Sequence, residues 1–323
     1  MSLAVRASIV VLISVLFQAN ASAQWKVVRQ DEAKCDTKGT RCDLNAIFFV
    51  DKERGWMVGD RGVVRATSNQ GETWSAQDAG VKTAISDIVF LSKKDGFLLA
   101  SGARIFRTID GGETWSLVYQ IVAAKTAAKS ELPELYSISF PNKKKGWVVG
   151  TEGRILHTED GGATWSQQES PTKEEIVHVR FVNDKRGWAV GAEGIILSTE
   201  DSGRTWARQQ SGTTAHLYHI DASDKQNAVV VGDNGLVLRT ETGGLGWEKV
   251  KVETKQSLMS VAFVNDKLGF IVGWKGTILR TGDGGRTWVT QESGTRENIY
   301  GLFAKKKQVW AVAGAGILLQ YND

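Results

Sequence analysis

The sequence predicts an all-β fold, a seven-bladed β-propeller of four-stranded blades whose ring is closed by its N- and C-terminal strands. Three observations carry this. The motif Asp-Gly-Gly-x-Thr-Trp recurs six times: intact at 110–115, 160–165 and 283–288, with Ser202 for one Gly at 201–206, and degraded at 69–74 and 242–247. Trp165, Trp206, Trp247 and Trp288 are spaced by 41 residues, and a fixed period of about 40–50 residues carrying strand-like segments marks a propeller or a solenoid. The third observation is a mismatch: seven copies of the innermost strand but six closing Trp motifs.

The elements follow in chain order. Arg6, an apolar run over 9–17 and Ala21-Ser22-Ala23 read as an export signal with a cleavage site. The run is too short to span a bilayer. The expected division is therefore a signal peptide over 1–23 and one propeller over 24–323. The chain is expected in the periplasm or secreted, without a lipid anchor because no Cys follows the cut.

Within each period, strand a reads apolar-x-x-apolar-x-apolar, as in Ile176, Val179 and Phe181; weaker copies start at Leu44, Leu135, Leu217 and Ile299. Strand b is Gly-Trp-x-Val-Gly at 55–59, 146–150 and 187–191, with Phe97 and Phe270 replacing Trp elsewhere. Strand c follows a Gly and ends on Thr, as at Thr158, Thr199 and Thr281. The motif Trp opens strand d. Short runs rich in β-branched and aromatic residues, bounded by Gly, Asp, Asn or Lys, are strands joined by hairpins, and four per period make a blade. The last period stops at Asp323, where its strand d should start, while Gln24-Trp25-Lys26-Val27-Val28 resembles the missing strand. The N-terminus should therefore complete the last blade and remove an open sheet edge.

In the motif, Gly permits the positive φ of a tight turn, the Asp carboxylate accepts from turn N–H groups, and the Trp buries its ring. Asp110, Asp160, Asp201 and Asp283, with Trp115, Trp165, Trp206 and Trp288, are thus expected to be structural. The strand-b Trp is read as core. Cys35 and Cys42, the only cysteines, are expected to form a disulfide in an oxidising compartment, contributing about 2–3 kcal/mol on the chain-entropy model.

These motifs resemble a known group. Asp-Gly-Gly-x-Thr-Trp is similar to the Asp-box (BNR) repeat of sialidases and related propellers. Its combination with Gly-Trp-x-Val-Gly and Gly-x-Ile-Leu-x-Thr, over residues 25–323, resembles the photosystem II stability/assembly factor family. That resemblance implies a non-enzymatic propeller that binds membrane-protein partners in the thylakoid lumen or periplasm.

The enzyme alternative is a carbohydrate-binding or sialidase-like propeller. A sialidase needs an arginine triad, a Tyr nucleophile with a Glu partner and an acid/base Asp. Arg104-Ile105-Phe106 lacks the Pro of the usual Arg-Ile-Pro motif, and none of the five tyrosines has an evident Glu partner in sequence. Glu152, Glu193 and Asp233 fall in equivalent b–c turns, so a carboxylate pair is conceivable there, although acidic turn residues are the default. His216 and His219 are three apart on a strand, hence on opposite faces, so no metal site is expected. No phosphate-binding motif or cofactor signature is present, and no catalytic residue is assigned.

Binding is expected at the turns. Lysines in all seven a–b turns, among them Lys52, Lys93, Lys144, Lys185, Lys225, Lys267 and Lys305, would form a ring on the Asp-box face, either plain solubilising charge or a surface for anionic lipid. On the other face, Arg61, Arg104, Arg154 and Lys275, with Trp274 beside the last, and two long links, one of them containing residues 123–129 as a candidate helix, suggest a site for an acidic extended segment of a membrane or periplasmic protein. Nucleic acid is not an expected partner, and a monomer is expected.

Overall fold

The computed structural model describes residues 24–30, 42–122, 133–306 and 308–322. The 123–129 segment, Cys35 and the proposed signal lie outside the described residues. Among these residues no helix is long and apolar enough to cross a membrane.

The strands form seven four-stranded antiparallel blades, the last of them completed by β1 (Gln24–Gln30). Blade 1 holds β2 (Leu44–Phe49), β3 (Gly55–Gly59), β4 (Val63–Thr67) and β5 (Ser75–Asp78). Blade 2 holds β6 (Ile85–Phe90), β7 (Gly96–Ala100), β8 (Arg104–Thr108) and β9 (Ser116–Gln120). Blade 3 holds β10 (Leu135–Ser139), β11 (Gly146–Gly150), β12 (Ile155–Thr158) and β13 (Ser166–Gln168). Blade 4 holds β14 (Ile176–Phe181), β15 (Gly187–Gly191), β16 (Ile196–Thr199) and β17 (Ala207–Gln209). Blade 5 holds β18 (Leu217–Ala222), β19 (Ala228–Gly232), β20 (Val237–Thr240) and β21 (Glu248–Lys249). Blade 6 holds β22 (Leu258–Phe263), β23 (Gly269–Gly273), β24 (Ile278–Thr281) and β25 (Val289–Gln291). Blade 7 holds β26 (Ile299–Lys305), β27 (Gln308–Ala313) and β28 (Ile317–Asn322), and β1 is its outer strand.

The expected closure is therefore present. Trp25 pairs with Tyr321 across the β1–β28 ladder. Its ring is buried edge-on to Phe270, with centroids 5.5 Å apart. The two chain ends are thus held by both a hydrogen-bonded ladder and an aromatic cluster.

Strand b of six blades, from β3 to β23, is buried along its whole length. It lies between two neighbouring blades, so it reads as a continuous apolar run rather than an alternation. In blades 1, 3 and 7 its tryptophan packs on strand a of the next blade. Trp56 stacks on Phe90 and Trp147 on Phe181, at 3.4 and 3.5 Å between centroids, and Trp310 stacks on Phe49 across the closure at 5.7 Å. In blade 4 the partner of Trp188 is the Arg186 guanidinium, 4.3 Å from the ring. The strand-b tryptophans are core, as the sequence implied.

The motif turns behave as the chemistry requires. Asp160 Oδ1 accepts from the Thr164 N–H (2.9 Å) and the Thr158 hydroxyl (2.8 Å), and Oδ2 accepts from the Thr164 hydroxyl (2.6 Å). The Thr158 hydroxyl oxygen also accepts from the Gly162 N–H. Gly162 has φ +82°, and a Cβ there would lie 2.4 Å from the Phe97 ring. The same bonds recur at Asp110, Asp201 and Asp283. Hydrogen bonds from Thr114 above all hold Asp110 down at about 2, because they stabilise its charged form.

Candidate functional site at the b–c face and channel mouth

Two hydrogen-bond series separate the faces. On one, the motif turns donate to the a–b turns: Gly111 N–H to the Lys94 carbonyl, Gly161 to Lys144, Ser202 to Lys185 and Gly284 to Lys267. On the other, the b–c turns donate to the d–a links: Asp60 N–H to the Asp43 carbonyl, Thr151 to Glu134, Ala192 to Glu175, Asp233 to His216 and Trp274 to Ser257. Lys52, Lys93, Lys144, Lys185, Lys225, Lys267 and Lys305 are exposed on the first face as expected. The motif carboxylates stand beside them on the same face, and Lys93 pairs with Asp51 at 3.0 Å. A recess of about 190 Å³ between blades 5 and 6 opens there, but its Arg239 and Arg286 are both committed to Glu241.

The predicted partner-binding residues all lie on the second face, but the structure does not gather them. Arg61 and Lys275 hold the same position in their turns, at φ +54° and +53°. Arg104 and Arg154 sit two positions later in the repeat, Arg104 opening β8 and Arg154 immediately preceding β12. Arg104 donates to the Ser101 carbonyl (2.9 Å) and the Thr83 hydroxyl (2.8 Å). Arg154 is tied to Glu152 at 2.9 Å and is only 13% exposed. Trp274 is 42% exposed beside Lys275 on blade 6, separated from the arginines of blades 1–3 by blade 7. Cys42 is buried; Cys35, its expected partner, lies outside the described residues.

Sequence reasoning missed the centre of this face. All seven inner strands line a channel of about 260 Å³. They splay too far apart to share a ladder, so side chains take the orphaned N–H groups. Asp87 accepts from Ile138 (2.9 Å), Ser139 from Phe181 (3.1 Å), and Asp221 from Phe263 (2.8 Å). His178 Nδ1 accepts from Ile220 at 3.5 Å. The His178 and His219 rings stack at 3.6 Å. Burial keeps both neutral, pushing His178 well below the usual range and His219 down to about 3. Burial also pushes Asp87 up to about 6.

At the channel mouth, Tyr136, Tyr218 and Tyr300 stand on blades 3, 5 and 7. The Tyr218 hydroxyl donates to Asp233 (2.9 Å) and Tyr300 to Asp43 (3.1 Å), and Tyr136 is bonded to Glu175. No Glu partner is evident in sequence for any tyrosine; in the structure Tyr136 meets Glu175 from the following d–a link, Tyr218 meets Asp233 from the b–c turn of its own blade, and Tyr300 meets Asp43 across the ring closure. Burial and then the carboxylate raise Tyr218 to about 12, and Tyr136 is raised for the same reasons. Among the described residues, no arginine lines the channel. Glu152 and Glu193 occupy the second turn position and Asp233 the first, on three different blades. A repeat-position signal existed: each of the three tyrosines directly follows the first apolar residue of strand a, at Leu135, Leu217 and Ile299.

The profile of the photosynthesis system II assembly factor YCF48 family matches residues 67–173, 118–249 and 241–323. The chain belongs to this family. Comparison with curated proteins gives no match. Among solved structures, YCF48 from Cyanidioschyzon merolae is 21% identical with a TM-score of 0.74, covering 93% of this chain and 99% of its own. A YCF48 bound to a D1 peptide is 18% identical with the same TM-score, covering 93% and 97%. A virginiamycin B lyase from Staphylococcus aureus bound to quinupristin is 14% identical with a TM-score of 0.77, covering 93% and 99%. At these identities the structures share the fold alone. The YCF48 family assignment rests on the profile match.

Proposed function

We propose that this chain is an exported, non-catalytic YCF48-type scaffold that binds an extended segment of a membrane or periplasmic protein and assists its assembly. The observation that carries this reading is the YCF48 family match over residues 67–323. The solved YCF48 with its D1 peptide supports a peptide as the ligand class. The b–c face is the docking surface: Arg61, Arg104 and Arg154 along blades 1–3 hold acidic residues of the segment, and Trp274 with Lys275 provides a second contact on blade 6. Anionic lipid is the weaker partner for the opposite face, because motif carboxylates interleave with its lysines and reduce the net field.

The test is capture of protein from a membrane extract by the immobilised chain. The unmodified chain retains a specific membrane protein, and replacing Arg61, Arg104 and Arg154 together by Ala abolishes retention without lowering the melting temperature. Undiminished retention by the triple variant removes these arginines from the docking surface. Hydrolysis of a fluorogenic sialoside by the chain would overturn the non-catalytic reading.

A further inference from the structure

The polar groups around the channel mouth spend their protons on the protein itself. Tyr218 and Tyr300 donate their single phenolic hydrogens to Asp233 and Asp43. Ser257 donates to Asp233 at 2.9 Å, and Ser86 to the Leu135 carbonyl at 3.0 Å. The Asn45 amide donates to the Ile85 carbonyl at 3.0 Å. What remains for a visitor is acceptor capacity: phenolic and carboxylate lone pairs, and aromatic ring faces. Deeper in the same cavity, His219 Nδ1 is buried without a hydrogen-bond partner, an acceptor or donor left open in an otherwise satisfied wall.

The charge has the same sense. Asp43, Asp60, Glu134, Glu175 and Asp233 all act electrostatically on the three tyrosines. Among the described residues, two cationic side chains of this face are turned to other partners: Arg104 to Ser101 and Thr83, and Arg154 to Glu152. Among the described residues, an anion at the mouth would meet the carboxylates that act on Tyr136, Tyr218 and Tyr300. A cation meets carboxylates and the negative faces of aromatic rings, each of which attracts it. At about 260 Å³ the cavity admits one side-chain end and not a folded element.

We propose that the channel mouth is a receptor for a single cationic side chain, the ammonium of a lysine or the guanidinium of an arginine, presented by the partner segment and enclosed by Tyr136, Tyr218 and Tyr300. This rests on the reading of the b–c face as the docking surface and adds a specificity to it. The arginines of blades 1–3 select acidic residues, and the mouth selects one basic residue in the same segment.

The test uses n-butylguanidinium and n-butylammonium as probes, with neutral n-butyramide as control, and follows tyrosine ring signals by NMR. Only five tyrosines exist, so the signals are separable. Saturable shifts are expected at Tyr136, Tyr218 and Tyr300 with both cations, none with butyramide, and none at Tyr119 or Tyr321. Combining Glu175→Gln with Asp233→Asn keeps the hydrogen-bond acceptors but removes two charges, and should weaken binding about tenfold. Glu175→Gln alone serves as the second variant if the double variant unfolds, with a smaller loss expected. Absence of saturation, equal shifts with butyramide, or unchanged affinity in a folded variant would overturn the proposal. If butylguanidinium binds as expected but the unmodified chain captures no partner, the receptor stands and the docking reading of the face falls.

Discussion

On the Asp-box face, Asp110, Asp160, Asp201 and Asp283 each close bonds to a Thr four residues on, within their own turn. On the opposite face Asp43 and Asp233 bind tyrosine hydroxyls on inner strands, and Asp43 also accepts from the Ala315 N–H, far along the chain. The backbone repeat is the same on both faces, but the carboxylates are used differently. Local bonds can be copied from blade to blade because nothing outside the turn must match. Bonds to distant residues depend on what each blade carries, so that face varies and is the one that can be specific. Loops set on a rigid scaffold are where binding is usually found.

The largest way to break this contrast is to remove the scaffold beneath both faces. Trp147 is fully buried and stacked on Phe181. Trp147→Ala leaves a cavity between blades 3 and 4 and should cost about 3–5 kcal/mol. Urea unfolding should show a lower midpoint with an unchanged slope, and folded molecules should still capture partner. A loss below about 1 kcal/mol would mean the blades are not held by this pair.

Acid sharpens the contrast, because the buried groups of the channel titrate at different pH from the motif carboxylates. His178 and His219 are depressed by burial, so the unfolded chain binds their protons first. The stability they contribute is complete above their ordinary value near 6.5 and is lost as pH falls towards 3, by at most about 1.4 kcal/mol per pH unit for each ring. Their charged neighbours are Arg180 on β14, which disfavours a second positive charge, and Asp221 on β18, which is paired with Arg180 at 3.0 Å. Asp87 on β6 has the opposite sign: raised to about 6, it destabilises the fold as pH rises through 4–6 and so offsets part of the histidine slope. The motif carboxylate of Asp110, held at about 2, loses its contribution only as pH drops below about 4. His178→Asn keeps an acceptor for the Ile220 N–H and should roughly halve the slope between pH 6.5 and 4 in pH-dependent thermal melts. An unchanged slope would show that the imidazole stack does not govern it.

The fold was legible because its determinants repeat. A turn with a fixed bonding pattern, a doubly buried strand b and a closing Trp leave a mark every 41 residues, and Trp25 stood out as the copy that completes the count. The candidate site was legible only in part. Arg61, Arg104 and Arg154 are visible as turn residues, but that Arg154 is held by Glu152 depends on side-chain direction. The channel mouth escaped because Tyr300 and Asp43 are separated by nearly the whole chain, and no local rule joins them. The stacked His178 and His219 occupy the same third position of strand a in consecutive blades, and their rings meet only where two blades pack together.

The smallest expected effect separates the faces most cleanly. Asp283→Ala removes the bonds to Thr281 and Thr287. The site is near the surface and solvent-screened, so the melting temperature should fall by only about 2–4 °C, with capture unchanged. Glu152→Gln on the opposite face should leave stability within about 0.5 kcal/mol, because exposed ion pairs contribute little. It should nevertheless strengthen capture of an acidic segment, since it releases the Arg154 guanidinium from the Glu152 carboxylate and restores a charge to the docking surface. A variant that binds the partner less well, while keeping its melting temperature, would place Glu152 itself in contact with a basic group and move the cation-selecting zone outward from the channel mouth.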